Sequence, residues 1–245
     1  MPNTKSKETQ TPSSTRTSLP YHCLYSDSNI LKNKYGIKNL DVFLKKCSHD
    51  TTKAMVNLRQ ASLPEKLDSS YLRDLHQQLF QNTFEWAGTT RDTAFKFEDG
   101  TTAFMPEMKR TGWKNPFAID DEIQKGLQKL DRTLAEKNNL QGLLREAFIC
   151  ESVEIFISFN HTHPFIEGNA RTQRLFFKQF AQVAGHQLDF SLVTKERMLV
   201  ASLAAAQDSQ SRAYETSVSG YLQSRKNTYF NLTRSHEPYE KYQTQ

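Results

Sequence analysis

Only three cysteines occur in 245 residues, and Cys23, Cys47 and Cys150 are far apart and form no Cys-x-x-Cys pair. That spacing argues against a disulfide framework or a cysteine-rich zinc site and suits a reducing cytosol. No apolar run approaches the ~18 residues of a membrane span. The N-terminus is rich in Ser, Thr, Pro and Lys, without the apolar stretch of a secretory leader. Basic blocks are missing too. The net charge of +5 comes from 32 Lys and Arg scattered among 27 Asp and Glu, which reads as a solvated mixed surface rather than a nucleic-acid face. No internal repeat is visible, so a solenoid is not expected.

What the chain does have is aromatic bulk. Sixteen Phe and a hydrophobic content of 37% suffice for one core, while a mean hydropathy of -0.69 leaves much polar material outside it. Residues 1–20 hold nine Ser or Thr and three Pro and read as a disordered tail. One domain is expected over 21–224, with its core at about 65–205. Residues 225–245 read as a polar tail or the start of a truncated linker.

Helical spacing appears at Leu40, Phe43 and Leu44 and again at Met55 and Leu58. A further helix is predicted from Ser62 as N-cap, along Leu72, Leu75, Leu79 and Phe80 to Trp86. Over 91–106 the period changes. Phe95 and Phe97 alternate with Lys96 and Glu98, Asp99-Gly100 supplies a turn, and Thr102, Ala103 and Phe104 lead to Pro106, which predicts a short β-hairpin. Helices follow over Asp120–Leu134 and Leu143–Phe159, the second apolar on so much of its circumference that it must be central. Another is marked by Phe176, Phe180 and Val183 and closed by Gly185. An alanine-rich helix at 195–206 and one at Tyr214–Leu222 complete a mostly α-helical bundle with a single hairpin.

The chemistry concentrates after the central helix. Pro164 disfavours helical geometry in the residue before it, so that helix must end near His163. Glu167-Gly168-Asn169 then opens the next helix, with Asn169 as candidate N-cap. Arg171 and Arg174 lie on one face of its first turns, where cations oppose the helix dipole unless an anion sits there. A Gly-containing turn into a helix start flanked by arginines is a phosphate site. Glu167 supplies a hard oxygen ligand for Mg²⁺, and His163 is a candidate general base. Together these suit phosphoryl or nucleotidyl transfer. His161 and His163 with Glu167 could alternatively be a metal-hydrolase site, but no third ligand has suitable spacing.

The run from His163 to Arg174 resembles the signature of the Fic family, His-Pro-Phe-x-Asp/Glu-Gly-Asn-x-Arg-x-x-Arg, and departs only where Gly is common and Ala170 stands. Phe84-Glu85-Trp86-Ala87-Gly88 with Arg91 resembles the Fic core, and the hairpin ending at Phe104-Met105-Pro106 lies where the family has its flap. Residues 31–37 and the Arg171–Arg174 ending are similar to the Bartonella type IV-secreted Fic effectors. The resemblance implies transfer of AMP from ATP to a Tyr, Thr or Ser hydroxyl of a target protein. His163 would take the hydroxyl proton and Glu167 would hold Mg²⁺. Phe165, Gly168, Asn169, Ala170, Arg171 and Arg174 would form the nucleotide site, with Phe165 packed beneath it. The flap residues Phe95, Lys96, Phe97, Thr102, Ala103 and Phe104 would dock the target by strand addition. A secreted effector would pass from the bacterial cytoplasm to that of the host.

Two features bear on activity. Ala170 is strained if its position needs positive φ and harmless in a first helical turn. In addition, the family's inhibitory motif, Ser or Thr four residues before a Glu followed by Gly or Asn, is not found. Restraint would then require a separate antitoxin-like partner. The alternative is a weak or silent Fic module that binds a host protein or transfers another nucleotide-derived group.

Overall fold

A computed structural model describes residues 23–26, 28–109 and 117–190. The expected N-terminal tail, the helices at 195–206 and 214–222 and the polar C-terminal stretch lie outside these residues. The described elements run α1 (Leu40–Gln60), α2 (Ser69–Phe80), β1 (Phe95–Lys96), β2 (Thr102–Ala103), α3 (Glu122–Glu136), α4 (Arg145–Thr162) and α5 (Asn169–Val183). A single 3₁₀ turn, Asn138–Leu140, joins α3 to α4. The expectation of a mostly helical protein with one hairpin holds among the described residues. Among the described residues no helix is long and apolar enough to cross a membrane.

Local sequence explains most boundaries. Asn39 caps α1 by accepting from the Val42 N–H at 3.1 Å. The two apolar patches in this stretch therefore belong to one helix, which buries Phe43, Cys47 and Leu58. The predicted start of α2 at Ser62 is corrected to Ser69. Asp68 is the cap, accepting from Tyr71 N–H at 2.8 Å, and Asp131 of α3 receives both the N–H and the hydroxyl of Ser69. That tertiary anchor chooses Asp68 over the earlier serine. Helix α2 also stops at Phe80 instead of continuing to Trp86. The N–H groups of Thr83 and Phe84 turn back to the Phe80 carbonyl, and Phe84 and Trp86 stack at 4.2 Å in the core. Gly185 (φ +84) ends the turn after α5, as expected from sequence.

Helix α2 packs against α1, α3 and α5, and α3 against α4. Between them lie Phe80, Phe84, Trp86, Phe165, Phe176 and Phe180, all fully buried. Each such aromatic contributes roughly 2–3 kcal/mol of hydrophobic stabilisation. Helix α4 is central, as its apolar circumference predicts, with Phe148, Ile155, Phe156 and Phe159 inside. Its C-terminus and the start of α5 meet over the carboxyl end of α2, which places the His163–Arg174 segment on a rigid floor.

Candidate active site

Helix α4 ends where Pro164 requires. His163 adopts a left-handed conformation (φ 43, ψ 59), and its N–H closes the helix on Phe159 O at 3.1 Å. Such a conformation costs about 1–2 kcal/mol for a non-glycine residue, so neighbours must impose it. One is Arg91, wholly buried, whose Nε donates to His163 O at 2.7 Å. Its other nitrogens donate to the carbonyls of Met105, Pro106, Ala118 and Thr162. Burial lowers the guanidinium pKa to about 10, which leaves it charged at neutral pH. Among the described residues no carboxylate hydrogen-bonds to it, and the nearby charge of Asp92 only partly offsets its burial. Five carbonyls solvate the charge, two of them at the negative end of α4's dipole. The imidazole of His163 stacks on Phe117 at 3.8 Å and 9°, so backbone and ring are both held.

The loop from Pro164 to Gly168 has its own clamps. Asn169 is the first residue of α5 and Gly168 its N-cap, which corrects the expectation of an Asn169 cap. The Asn169 amide instead brackets Phe165, accepting from its N–H at 2.9 Å and donating to its carbonyl at 2.6 Å. Gly168 sits at φ +90, and a Cβ there would collide with the Phe80 ring, so only glycine fits. Phe165 is fully buried and stacked on His76 at 3.8 Å. It supports the loop from below. Ala170 lies exposed in the first turn of α5, outside the positive-φ residues. Its methyl group costs no backbone strain.

His76 ties this loop to the rest of the core. Its Nδ1 accepts from Gly88 N–H at 2.8 Å, so its Nε2 carries the proton donated to Glu167 O at 2.9 Å. Burial, and to a lesser degree Arg171, lowers its pKa to about 4. The unfolded imidazole takes a proton near 6.5 and the folded one resists to about 4. Stability is therefore full above pH ~6.5 and falls as pH drops through that window, by roughly 3 kcal/mol when complete. Urea unfolding between about pH 7 and about pH 4.5 should show this slope, and His76→Gln should remove most of it. His161, also lowered by burial, adds to the same slope.

The charged groups converge above the loop. Arg171 Nη2 pairs with Glu167 Oε1 at 3.0 Å, Nη1 reaches Cys47 Sγ at 3.4 Å, and the guanidinium lies 4.5 Å above the Phe80 ring. Arg174 is different. Its pKa is lowered by burial and then by Arg171, and among the described residues nothing accepts a hydrogen bond from it. Two cations thus crowd a helix start with one half-exposed carboxylate, paired to Arg171, beside them, an arrangement that calls for an anion. His161, by contrast, lends its carbonyl to Ala118 N–H. Among the described residues no cluster of three or more His, Cys, Asp or Glu side chains forms.

The predicted hairpin stands beside the site. Phe95 pairs with Ala103 and Lys96 with Thr102, antiparallel, around Gly100 at φ +81. Phe97 and Ala103 point inward, Lys96 is exposed, and Phe95, Thr102 and Phe104 are half-buried. Met105 N–H donates to Arg91 O at 2.8 Å and fixes the hairpin's exit next to His163's support. Sequence reasoning did not find the roles of Arg91, His76 or Phe117. The one available signal was polarity out of place, a histidine within the apolar stripe of α2.

Residues 66–181 match the model of the Fic/DOC family. The N-terminal Fic domain of a Bartonella quintana cell filamentation protein, a VirB-translocated Bep effector solved with bound ADP, is 49% identical with a TM-score of 0.76 over 78% of this chain and 89% of that one. The chain belongs to the Fic/DOC family. A Bartonella henselae protein adenylyltransferase is 64% identical over 208 residues, which are 85% of this chain and 38% of that protein. BepC of Bartonella tribocorum, a VirB-translocated effector with bound AMPPNP, is 41% identical with a TM-score of 0.79 over 90% of this chain and all of that one. This Fic chain thus spans little more than a third of that Bartonella henselae relative.

Proposed function

We propose that this chain is a protein adenylyltransferase of the secreted-effector type. The observation that carries this reading is the junction of α4 and α5. A fixed imidazole ends one helix, and an arginine without a partner among the described residues, beside a paired one, opens the next. Arg171 and Arg174 would hold the β- and γ-phosphates of ATP, together with the N–H groups that the first turn of α5 leaves without intrahelical acceptors. His163 would take the proton of a target hydroxyl. The oxygen would then attack the α-phosphorus, forming a phosphodiester and breaking the bond to pyrophosphate, which leaves. Asn169 would act through the shape of the loop, since its amide is committed to Phe165.

Glu167 suits Mg²⁺. Its carboxylate is 48% exposed and has one oxygen on Arg171, and a magnesium site needs only one or two carboxylates when phosphates complete it. The ion would neutralise charge on the α- and β-phosphates. The ADP and AMPPNP bound to the Bartonella quintana and Bartonella tribocorum proteins support nucleotide binding by this chain. Their description as VirB-translocated supports a host protein as target and passage from the bacterial to the host cytoplasm. Restraint would fall to a separate small inhibitor that competes for Arg174.

Purified protein with Mg²⁺ and α-phosphate-labelled ATP should label a protein in host lysate. No labelling together with no ATP binding would refute the proposal. Ala170→Gly should leave the labelling rate unchanged and lower stability in urea by about 0.5–1 kcal/mol. A faster rate would mean that the methyl group crowds the phosphates.

A further inference from the structure

Residues 31–37 take no part in the site as described, yet they reach its substrate side. This strap is firmly held. Leu31 bridges Leu24, and Lys32 N–H donates to Cys23 O at 2.8 Å. Lys34 N–H donates to Thr83 O at 2.9 Å, and the Asn33 amide bonds the carbonyls of Leu31 and Ile37. The Tyr35 hydroxyl donates to Asp50 and meets Thr83. From this anchored backbone Lys32 projects onto the tip of the hairpin.

Its ammonium donates to Asp99 Oδ2 at 2.7 Å and to Thr101 Oγ1 at 2.6 Å, and lies 4.8 Å from the centre of the Phe97 ring. The lysine side chain is only 17% exposed although Asp99 is 56% exposed. Asp99 in turn accepts from the N–H and the hydroxyl of Thr101. Lys32 first, and Thr101 next, hold its carboxyl well below the usual carboxylate range. A two-residue ladder is marginal by itself, and three separate grips on its turn supply order that the ladder lacks.

We propose that Lys32 is a positioning residue for the hairpin, so that the strap at 31–37 forms part of the apparatus receiving the protein substrate. This rests on the transferase reading, in which the hairpin docks the target. The strap sets the angle and stiffness of the edge that the target strand must match. A loosened tip would have to be ordered at each encounter, and the ordering cost would appear in target binding rather than in the chemical step.

The test compares the full chain with Lys32→Met and Lys32→Arg. In Lys32→Met, hydrogen exchange of the Phe97, Gly100 and Thr101 amides should accelerate about fivefold, while exchange in α4 and α5 and ATP-analogue affinity stay unchanged. KM for the labelled target protein should rise by a similar factor with kcat preserved, and Lys32→Arg should restore both. Unchanged hairpin exchange in Lys32→Met would overturn the proposal, as would acceleration shared equally by α5. Transfer missing from every variant, wild type included, would refute the transferase reading, and the exchange data would still decide the role of Lys32.

Discussion

Replacing His163 with alanine should cut AMP transfer by roughly a thousandfold or more and leave nucleotide affinity nearly unchanged. The two effects separate because the groups sit on different helices. The imidazole lies at the end of α4, while both arginines belong to α5. The Arg91 bond to residue 163 uses the backbone carbonyl, so it survives the substitution. The left-handed conformation costs alanine somewhat more than histidine, and the fold also loses the stack on Phe117. The measurements are a calorimetric titration with a non-hydrolysable ATP analogue and a labelling time course. Labelling that persists in the alanine variant would remove His163 from the role of base. Lost analogue binding would place it in the nucleotide site instead.

Arg91→Met should be the most damaging single substitution for the fold, destabilising it by about 3–5 kcal/mol. Methionine fills comparable space but takes the guanidinium away from five carbonyls, among them those that fix His163 and the hairpin exit, and Pro106 O keeps only the long bond from Asp120 N–H. Domain stabilities are of order 5–15 kcal/mol, so the loss is a third or more of the whole. Thermal and urea denaturation read it directly. Activity should fall further than stability alone dictates, because the surviving folded protein no longer imposes φ 43 on His163. A destabilisation below ~1 kcal/mol would show that the carbonyls find water as readily as they find Arg91.

How much of this was legible beforehand depends on range. The end of α4 at His163 was readable because proline restricts its predecessor through bonded geometry, whatever the rest of the chain does. The hairpin was readable from a change of period around Asp99-Gly100, and the end after α5 from Gly185. The start of α2 was not, because Ser62 and Asp68 are both good caps and only Asp131, on another helix, chooses between them. Asn169 was misplaced for a related reason. An asparagine before a helix reads as a cap, but a glycine at φ +90 took that position and freed the amide for Phe165.

The sequence by itself determined the kinds of group present: an imidazole, a carboxylate, a glycine turn and two arginines within twelve residues, on a mostly helical chain. Covalent order and short-range sterics suffice for that. Only the tertiary structure decided what holds them, since Arg91, His76 and Phe117 act on partners far away in the chain. It also settled the geometry at Ala170, whose place in a regular first turn shows no strain. These decisions rest on burial and on which carbonyls a folded backbone leaves unpaired, and neither exists until the helices have packed.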